Sequence, residues 1–344
     1  MKKVTIYLGS ILMAVVVLAG CGAPQARTPE PESKIQVIAT LFPQYDFARQ
    51  IGGDKVTATK LLAPGIDAHT FEPTPLDIIS LNGADLFIYT GDEMEPWVSR
   101  ILSTLDGDLD ILDVSQNVPK IPWGAHAADD HDHDDLAEDY TDHNHENHDD
   151  HADHADDHDH DYDHMDDHDD HDHLYDPHIW TSPINAIVMA DNILNALIEI
   201  SPENEDYFRA NADFLFTELG QLDQEFHEMA ATAQRRIIFH AGRFAVQYLM
   251  YEYGITYVAS PNETEPSASL VAHMISAIEE EGIPVIFYEE LVEPRLANMI
   301  ASETGAEALL LHTVHNVSSE DFQSGVTYID LMRQNLENLR RALN

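Results

Sequence analysis

Short apolar runs alternate with helix-length segments on both sides of a long polar tract, and this alternation restricts the chain more than any other feature of it. From Lys34 onward, strand candidates at 35–39, 56–62, 86–89 and 110–114 are separated by helical segments at 43–51, 75–82 and 95–105. Beyond the tract, strand candidates recur at 236–239, 256–259, 285–288 and 308–311, with helices between them and a last helix over 328–343. Strands that alternate with helices define α/β units built on mainly parallel sheets. Between the two series, Ser182-Pro183 and Ser201-Pro202-Glu203 each place a capping residue ahead of a proline, which is a helix start. From there to about Ala230, apolar residues recur at Phe208, Ala212, Leu215, Leu219, Leu222, Phe226 and Met229, the spacing of one buried helical face. About thirty helical residues reach ~45 Å, enough to cross a domain. The expected fold is therefore two similar α/β lobes, each a mainly parallel sheet flanked by helices, joined by a long rigid linking helix. The first lobe covers residues 35–200, the linking helix 201–232 and the second lobe 233–344.

The tract itself, between His126 and His173, holds fourteen histidines and twenty-two acidic residues with no lysine or arginine. Such a segment cannot bury enough apolar surface to fold alone, so a disordered His/Asp-rich loop is expected within the first lobe. His131 and His133, His143 and His145, His158 and His160, and His171 and His173 are imidazole pairs two residues apart, a metal-binding composition. Ordering a floppy loop costs entropy, which limits such sites to low or moderate affinity and to an auxiliary, metal-gathering role. The other reading of the same residues is a solvated acidic tract that serves solubility.

The N-terminus carries Met1-Lys2-Lys3, then an apolar run to Ala19, then Gly20-Cys21. A basic start and a short apolar run make a secretory signal over residues 1–20. Leu18-Ala19-Gly20-Cys21 resembles the bacterial lipobox, which implies lipidation of Cys21, and residues 21–34 are a Pro-rich tether to the lipid bilayer. The expected location is the extracytoplasmic face of a cell membrane. Cys21 is the one cysteine, so neither an intramolecular disulfide nor a multi-cysteine zinc site is available. A formal net charge of -46 repels phosphate backbones and excludes nucleic acid as a partner.

Seven histidines lie outside the tract: His69, His178, His227, His240, His273, His312 and His315. His69, His240, His312 and His315 fall at or after the ends of strand candidates, and His178 stands just before a helix. The crevice beyond the strand carboxyl ends is where open α/β sheets bind ligands. Histidines from the two halves can converge across a cleft between lobes. On the residues alone, a metal site and ordinary solvated loop histidines both stay open.

Two segments sharpen the reading. Gly65-Ile66-Asp67-Ala68-His69-Thr70-Phe71-Glu72-Pro73-Thr74-Pro75 and Asp176-Pro177-His178-Ile179-Trp180-Thr181-Ser182-Pro183 resemble the first two metal-ligand motifs of the metal-specific, ZnuA-type (cluster A-I) solute-binding proteins of ABC importers. Glu263-Thr264-Glu265-Pro266-Ser267 and Ile286-Phe287-Tyr288-Glu289 are similar to signatures of their second lobe. The resemblance runs from Lys34 to the C-terminus, and the acidic histidine-rich insertion matches the zinc branch. It implies two lobes bridged by a rigid helix with the metal between them, a membrane permease as partner, and a monomer. Two departures stand out. Counting back from Tyr253-Gly254 puts the family's third ligand near Arg243, whereas His240 lies three residues earlier and is the only histidine nearby. At the fourth position His315 aligns, with His312 as its alternative. The implied ligand set is thus His69, His178, His240 and His315.

Imidazole suits zinc, copper, iron and nickel, and three or four histidines in a tetrahedron favour Zn2+. A closed shell leaves no position for activated water, so it points to carriage and not to an enzyme. No His-Glu-x-x-His or Gly-x-Ser-x-Gly pattern occurs. Asp67 and Asp176 stand where each can orient a neighbouring imidazole, or serve only as turn residues. The expected function is capture of Zn2+ between the lobes and delivery to an ABC importer. The alternatives are a surface adhesin, a metal-buffering lipoprotein, or a carrier of manganese or another divalent metal.

Overall fold

The computed structural model describes residues 33–66, 68, 71–105, 107–125, 127, 175–260 and 267–344. The signal, Cys21, the tether as far as residue 32, His69, residues 263–266 and all of the expected disordered loop but Ala127 lie outside these residues. So do the paired loop histidines proposed to gather metal: His131 and His133, His143 and His145, His158 and His160, His171 and His173.

The first series comprises β1 (Ile35–Ala39), α1 (Phe42–Gly52), β2 (Val56–Lys60), α2 (Pro75–Leu81), β3 (Leu86–Tyr89), α3 (Pro96–Ile101) and β4 (Asp110–Asp113). Helices α4 (Pro183–Ile200) and α5 (Glu205–Thr232) follow. The second series comprises β5 (Ile237–Arg243), α6 (Gln247–Tyr253), β6 (Thr256–Ser260), α7 (Ala268–Glu281), β7 (Val285–Tyr288), α8 (Arg295–Thr304), β8 (Glu307–Leu310), α9 (Ser319–Ser324) and α10 (Tyr328–Leu343).

Each series forms one four-stranded parallel sheet, in the order β2-β1-β3-β4 and β6-β5-β7-β8. The two orders are the same topology used twice, so the expected pair of similar lobes is what the chain forms. In each sheet the winding reverses beside the first strand. That places a ligand crevice at the carboxyl ends of β1 and β3 in one lobe, and of β5 and β7 in the other.

The repeated apolar face of α5 packs as its spacing requires. Phe208, Leu215, Leu219, Leu222, Phe226 and Met229 are all buried, each contributing about 1.5–3 kcal/mol of transfer free energy. They meet Met189, Ile193 and Leu197 of α4 in a core that reaches elements of both lobes. The outer faces have separate cores, Phe87, Trp97 and Val98 in the first lobe and Met274, Ile286 and Ile300 in the second.

Several boundaries differ from expectation, among them a β2 that ends at Lys60 and not at 62. Helix α5 begins at Glu205, because Ser201 opens a 3-10 turn over Pro202–Asn204, its hydroxyl donating to the Glu203 carboxylate at 2.5 Å and accepting from Asn204 Nδ2 at 2.8 Å. Strand β5 runs on to Arg243 through an irregularity between His240 and Arg243, so His240 is inside the strand and does not follow it. The helix expected over 95–105 is α-helical only to Ile101 and ends in a 3-10 turn at Leu102–Thr104.

The carboxyl-end loops of the two sheets meet. Phe42 N, just past β1, donates to His315 O at 3.0 Å, and Gly65 N, past β2, donates to Val317 O at 2.9 Å.

Candidate metal centre

His178, His240, His312 and His315 are all buried, each no more than 3% exposed. The hydrogen-bond geometry separates them by which ring nitrogen carries the proton. His178 follows Asp176 in a short turn, and the Asp176 carboxylate accepts from its backbone N–H at 2.9 Å and from its Nδ1 at 2.6 Å. A carboxylate only accepts, so Nδ1 carries a proton, and in the neutral ring the lone pair is then on Nε2. The second Asp176 oxygen, Oδ2, is buried with no hydrogen-bond partner among the described residues. A buried carboxylate in that state favours positive charge beside it. Of the two acids expected to orient imidazoles, Asp176 does so, and Asp67 lies outside the described residues.

His240 occupies the middle of β5, paired with Ala259 and Phe287 on its two sides. Its Nδ1 faces the Gly242 carbonyl as acceptor, at a long 3.3 Å. Its ring packs edge-on against Phe244, which stacks on Tyr257 at 3.8 Å. Burial pushes the imidazole down to about 4, so it is neutral at physiological pH with its lone pair on Nε2.

His315 is set by a relay. The Thr313 hydroxyl donates to Glu290 Oε1 at 2.6 Å, which uses its single hydrogen, so its contact with His315 Nδ1 must be donated by the imidazole. Nδ1 is again protonated, and in the neutral ring the lone pair is then on Nε2. Glu290 also accepts from Thr313 N at 2.8 Å and stands 3.3 Å from His315 Nδ1. Burial alone would raise this carboxyl, but His312, His315 and Thr313 outweigh it and hold it well below the usual carboxylate range.

His312 is the exception. Its Nδ1 accepts from Val314 N at 2.9 Å, so the proton of the neutral ring is on Nε2. Its backbone is gripped by Asn335 of α10, which accepts from His312 N and donates to His312 O, both at 2.7 Å. A ring whose outer nitrogen is protonated is a poor ligand as it stands, which favours His315 of the two.

His178 reaches the second lobe through its neighbours. Trp180 Nε1 donates to Thr313 O at 2.8 Å, and Tyr248 Oη donates to Asp176 O at 3.0 Å. Among the described residues no three His, Cys, Asp or Glu side chains stand together as a ready-made metal cluster. Arg243, where counting placed the family's third ligand, ends β5 as an ion pair with Glu289, 3.5 Å away. The reading from sequence missed Glu290 and Thr313. The available signal was the acidic pair Glu289-Glu290 directly after β7, at the point where the winding of the sheet reverses.

Twin parallel sheets whose carboxyl ends meet, bridged by a long helix and carrying buried imidazoles there, define a two-lobed solute-binding architecture. The chain belongs to the family described as zinc-uptake complex component A, periplasmic (ZnuA), whose profile matches residues 37–342. It is 30% identical over 340 residues to the high-affinity zinc uptake system protein ZnuA of Bacillus subtilis, covering 97% of this chain and 96% of that one. It is 28% identical over 347 residues to the zinc-binding lipoprotein AdcA of Streptococcus pneumoniae, covering 99% of this chain but spanning 61% of the length of that relative. The crystal structure of the Zn(II)-bound ZnuA-like domain of pneumococcal AdcA superposes with a TM-score of 0.69 at 25% identity, covering 90% of this chain and 99% of that domain.

Proposed function

We propose that this chain captures Zn2+ between its lobes and hands it to the membrane permease of an ABC importer at the extracytoplasmic face of a cell membrane. The observation that carries the reading is that Nδ1 of His178, of His240 and of His315 each lies against an oxygen, which makes Nε2 the nitrogen proposed to donate to the metal. Neutral imidazoles with a fixed Nδ1 partner are the form that ligates Zn2+. His69, outside the described residues, is the proposed fourth ligand, with His312 as alternative to His315. Four imidazoles close a tetrahedron and leave no open coordination position for a reactive water, which is carriage and not catalysis. The membership of the zinc-uptake family supports zinc over manganese, as does the nitrogen-rich ligand set.

On this reading residues 1–20 are the signal, 21–34 the lipidated tether, and 126–173 an auxiliary metal-gathering segment. The pairs His131 with His133, His143 with His145, His158 with His160 and His171 with His173 are its proposed weak sites. Deleting 126–173 is expected to leave one tight zinc equivalent and to remove the weaker ones. Calorimetric titration of dialysed protein measures this, and loss of the tight equivalent would overturn the proposal. Replacing Cys21 with alanine is expected to move the protein from the membrane fraction to the soluble one. A variant retained on membranes at parental levels would refute the anchor.

A further inference from the structure

The amide of Asn316 makes every hydrogen bond it is capable of, and these bonds join the 60–66 stretch to the 316–317 segment. Its Nδ2 donates to Ala63 O at 2.9 Å and to Ile66 O at 2.7 Å. Its Oδ1 accepts from Val317 N at 2.8 Å and from Lys60 Nζ. Two donors and two acceptor sites exhaust the amide. Asn316 is fully buried, and Lys60, at the end of β2, is 9% exposed with its ammonium over the rings of Phe42 and Phe322 at 5.8 and 5.3 Å.

The clasped segment is a tight turn. Ile66 N donates to Ala63 O at 3.2 Å, and Gly65 adopts φ 82, a left-handed conformation that favours glycine. Gly65 N then donates to Val317 O at 2.9 Å. Backbone groups of 63–66 and 317 are thus joined through, or beside, one side chain.

We infer that Asn316 is a positioning residue for metal capture: it locks the Ala63–Ile66 turn of the first lobe onto the His315 segment of the second, holding the two lobes' contributions to the metal centre in register. The inference rests on the zinc-binding reading above. Asn316 touches no reacting atom. It acts through His315, its immediate neighbour, and through the turn that ends three residues before His69. Fixed outer partners of this kind set metal affinity by sparing the ligands the entropy of being ordered on binding.

Asn316→Asp separates this role from bulk stability. Aspartate keeps the acceptors for Val317 N and Lys60 but loses both donors, turning oxygen toward the Ala63 and Ile66 carbonyls. Lys60→Met is the control, because it removes the amine and leaves the two clasping N–H groups. In the full chain, competition with a chromophoric chelator at one equivalent of zinc reads the tight site, and hydrogen exchange of the 60–66 peptide reads the clasp without metal. Asn316→Asp is expected to fold, to exchange faster over 60–66, and to bind zinc about tenfold more weakly. Lys60→Met is expected to stay within about twofold of the parent in zinc affinity whatever its melting temperature. Parental zinc affinity in Asn316→Asp, unchanged exchange over 60–66, or an equal affinity loss in Lys60→Met would each overturn the inference. A parent that itself holds no tight zinc would overturn the binding reading first, and this inference with it.

Discussion

Replacing His240 with alanine is expected to weaken tight zinc binding by more than about a hundredfold, because losing a direct ligand costs more than the 10–100-fold seen when an outer partner is lost. His178→Ala and His315→Ala are expected to do the same, and His312→Ala to cost distinctly less. The ordering follows from the protons. His178, His240 and His315 have Nδ1 bonded to an oxygen and offer Nε2, whereas His312 uses Nδ1 as an acceptor and carries its hydrogen on Nε2. The measurement is the zinc-dependent rise in unfolding free energy, with residues 126–173 deleted so that auxiliary histidines do not contribute. Zinc at a thousandfold excess over the parental Kd adds about 4.1 kcal/mol, and a hundredfold loss of affinity reduces that to about 1.4 kcal/mol at the same zinc. His240 is the sharpest case, since it departs from the position that counting along the family pattern assigns to the third ligand. Retention of the full zinc increment by both His240→Ala and His315→Ala would mean that the second lobe supplies other ligands.

The architecture was legible because its signals are local and repeated. Strand and helix periods recur over a few residues, so β1, β3, β7 and α10 fall where expected, and every residue of the α5 apolar face is buried. The length of β5 was not legible, because the run past His240 contains Gly242 and the strand continues through an irregularity that depends on pairing with β6. The same division holds at the site. Asp176 and His178 are two residues apart, so their bond is readable from adjacency. The Glu290–Thr313 bonds span 23 positions and the Asn316–Ile66 bond spans 250, and no local pattern carries either. Sequence points to which imidazoles stand at strand ends. The groups that face each Nδ1 are only two residues away, but for His315 it is Glu290, brought in by the tertiary fold, that takes the Thr313 hydrogen and so sets which way that bond runs.

The largest stability effect is expected at Glu95, in the first lobe's own crevice. At the carboxyl ends of β1 and β3, where the second lobe has Glu290 past β7 and His240 within β5, the first lobe has a buried polar network of Thr40, Gln44, Thr90 and Glu95. Gln44 Oε1 accepts from Leu41 N at 2.9 Å, which fixes it as oxygen, and it lies 2.9 Å from Thr40 Oγ1. Thr40 Oγ1 also contacts Glu95 Oε1, so one hydroxyl hydrogen faces two oxygens. The count closes only if Glu95 is protonated, donating to Thr40 while Thr40 donates to Gln44; Glu95 Oε2 meanwhile accepts from Thr90 N at 2.9 Å. Burial pushes this carboxyl from 4.5 up to about 8, against the lowering bonds of Thr40 and Thr90 and with help from the Asp113 charge. Between those values the folded state holds a proton that the unfolded state has released, so stability falls as pH rises through that window. Glu95→Gln keeps the geometry, its amide donating to Thr40 and accepting from Thr90, and removes the titration. The variant is expected to match the parent near pH 4.5 and to exceed it by on the order of 4 kcal/mol near pH 8, at 1.36 kcal/mol per pH unit. His240 runs the other way: held down to about 4 by burial, it costs stability as pH falls from about 6.5 toward 4. Because His240 is common to both proteins, the difference between their urea midpoints from pH 5 to 8 isolates Glu95. A difference that stays flat across that range would show that Glu95 is ionised in the folded protein. If the difference grows as expected, the topological crevice of one lobe is sealed by a neutral acid while that of the other is left to the imidazoles. The first lobe would then serve the proposed zinc site only from the segments that carry His69 and His178, and not from its own switch point.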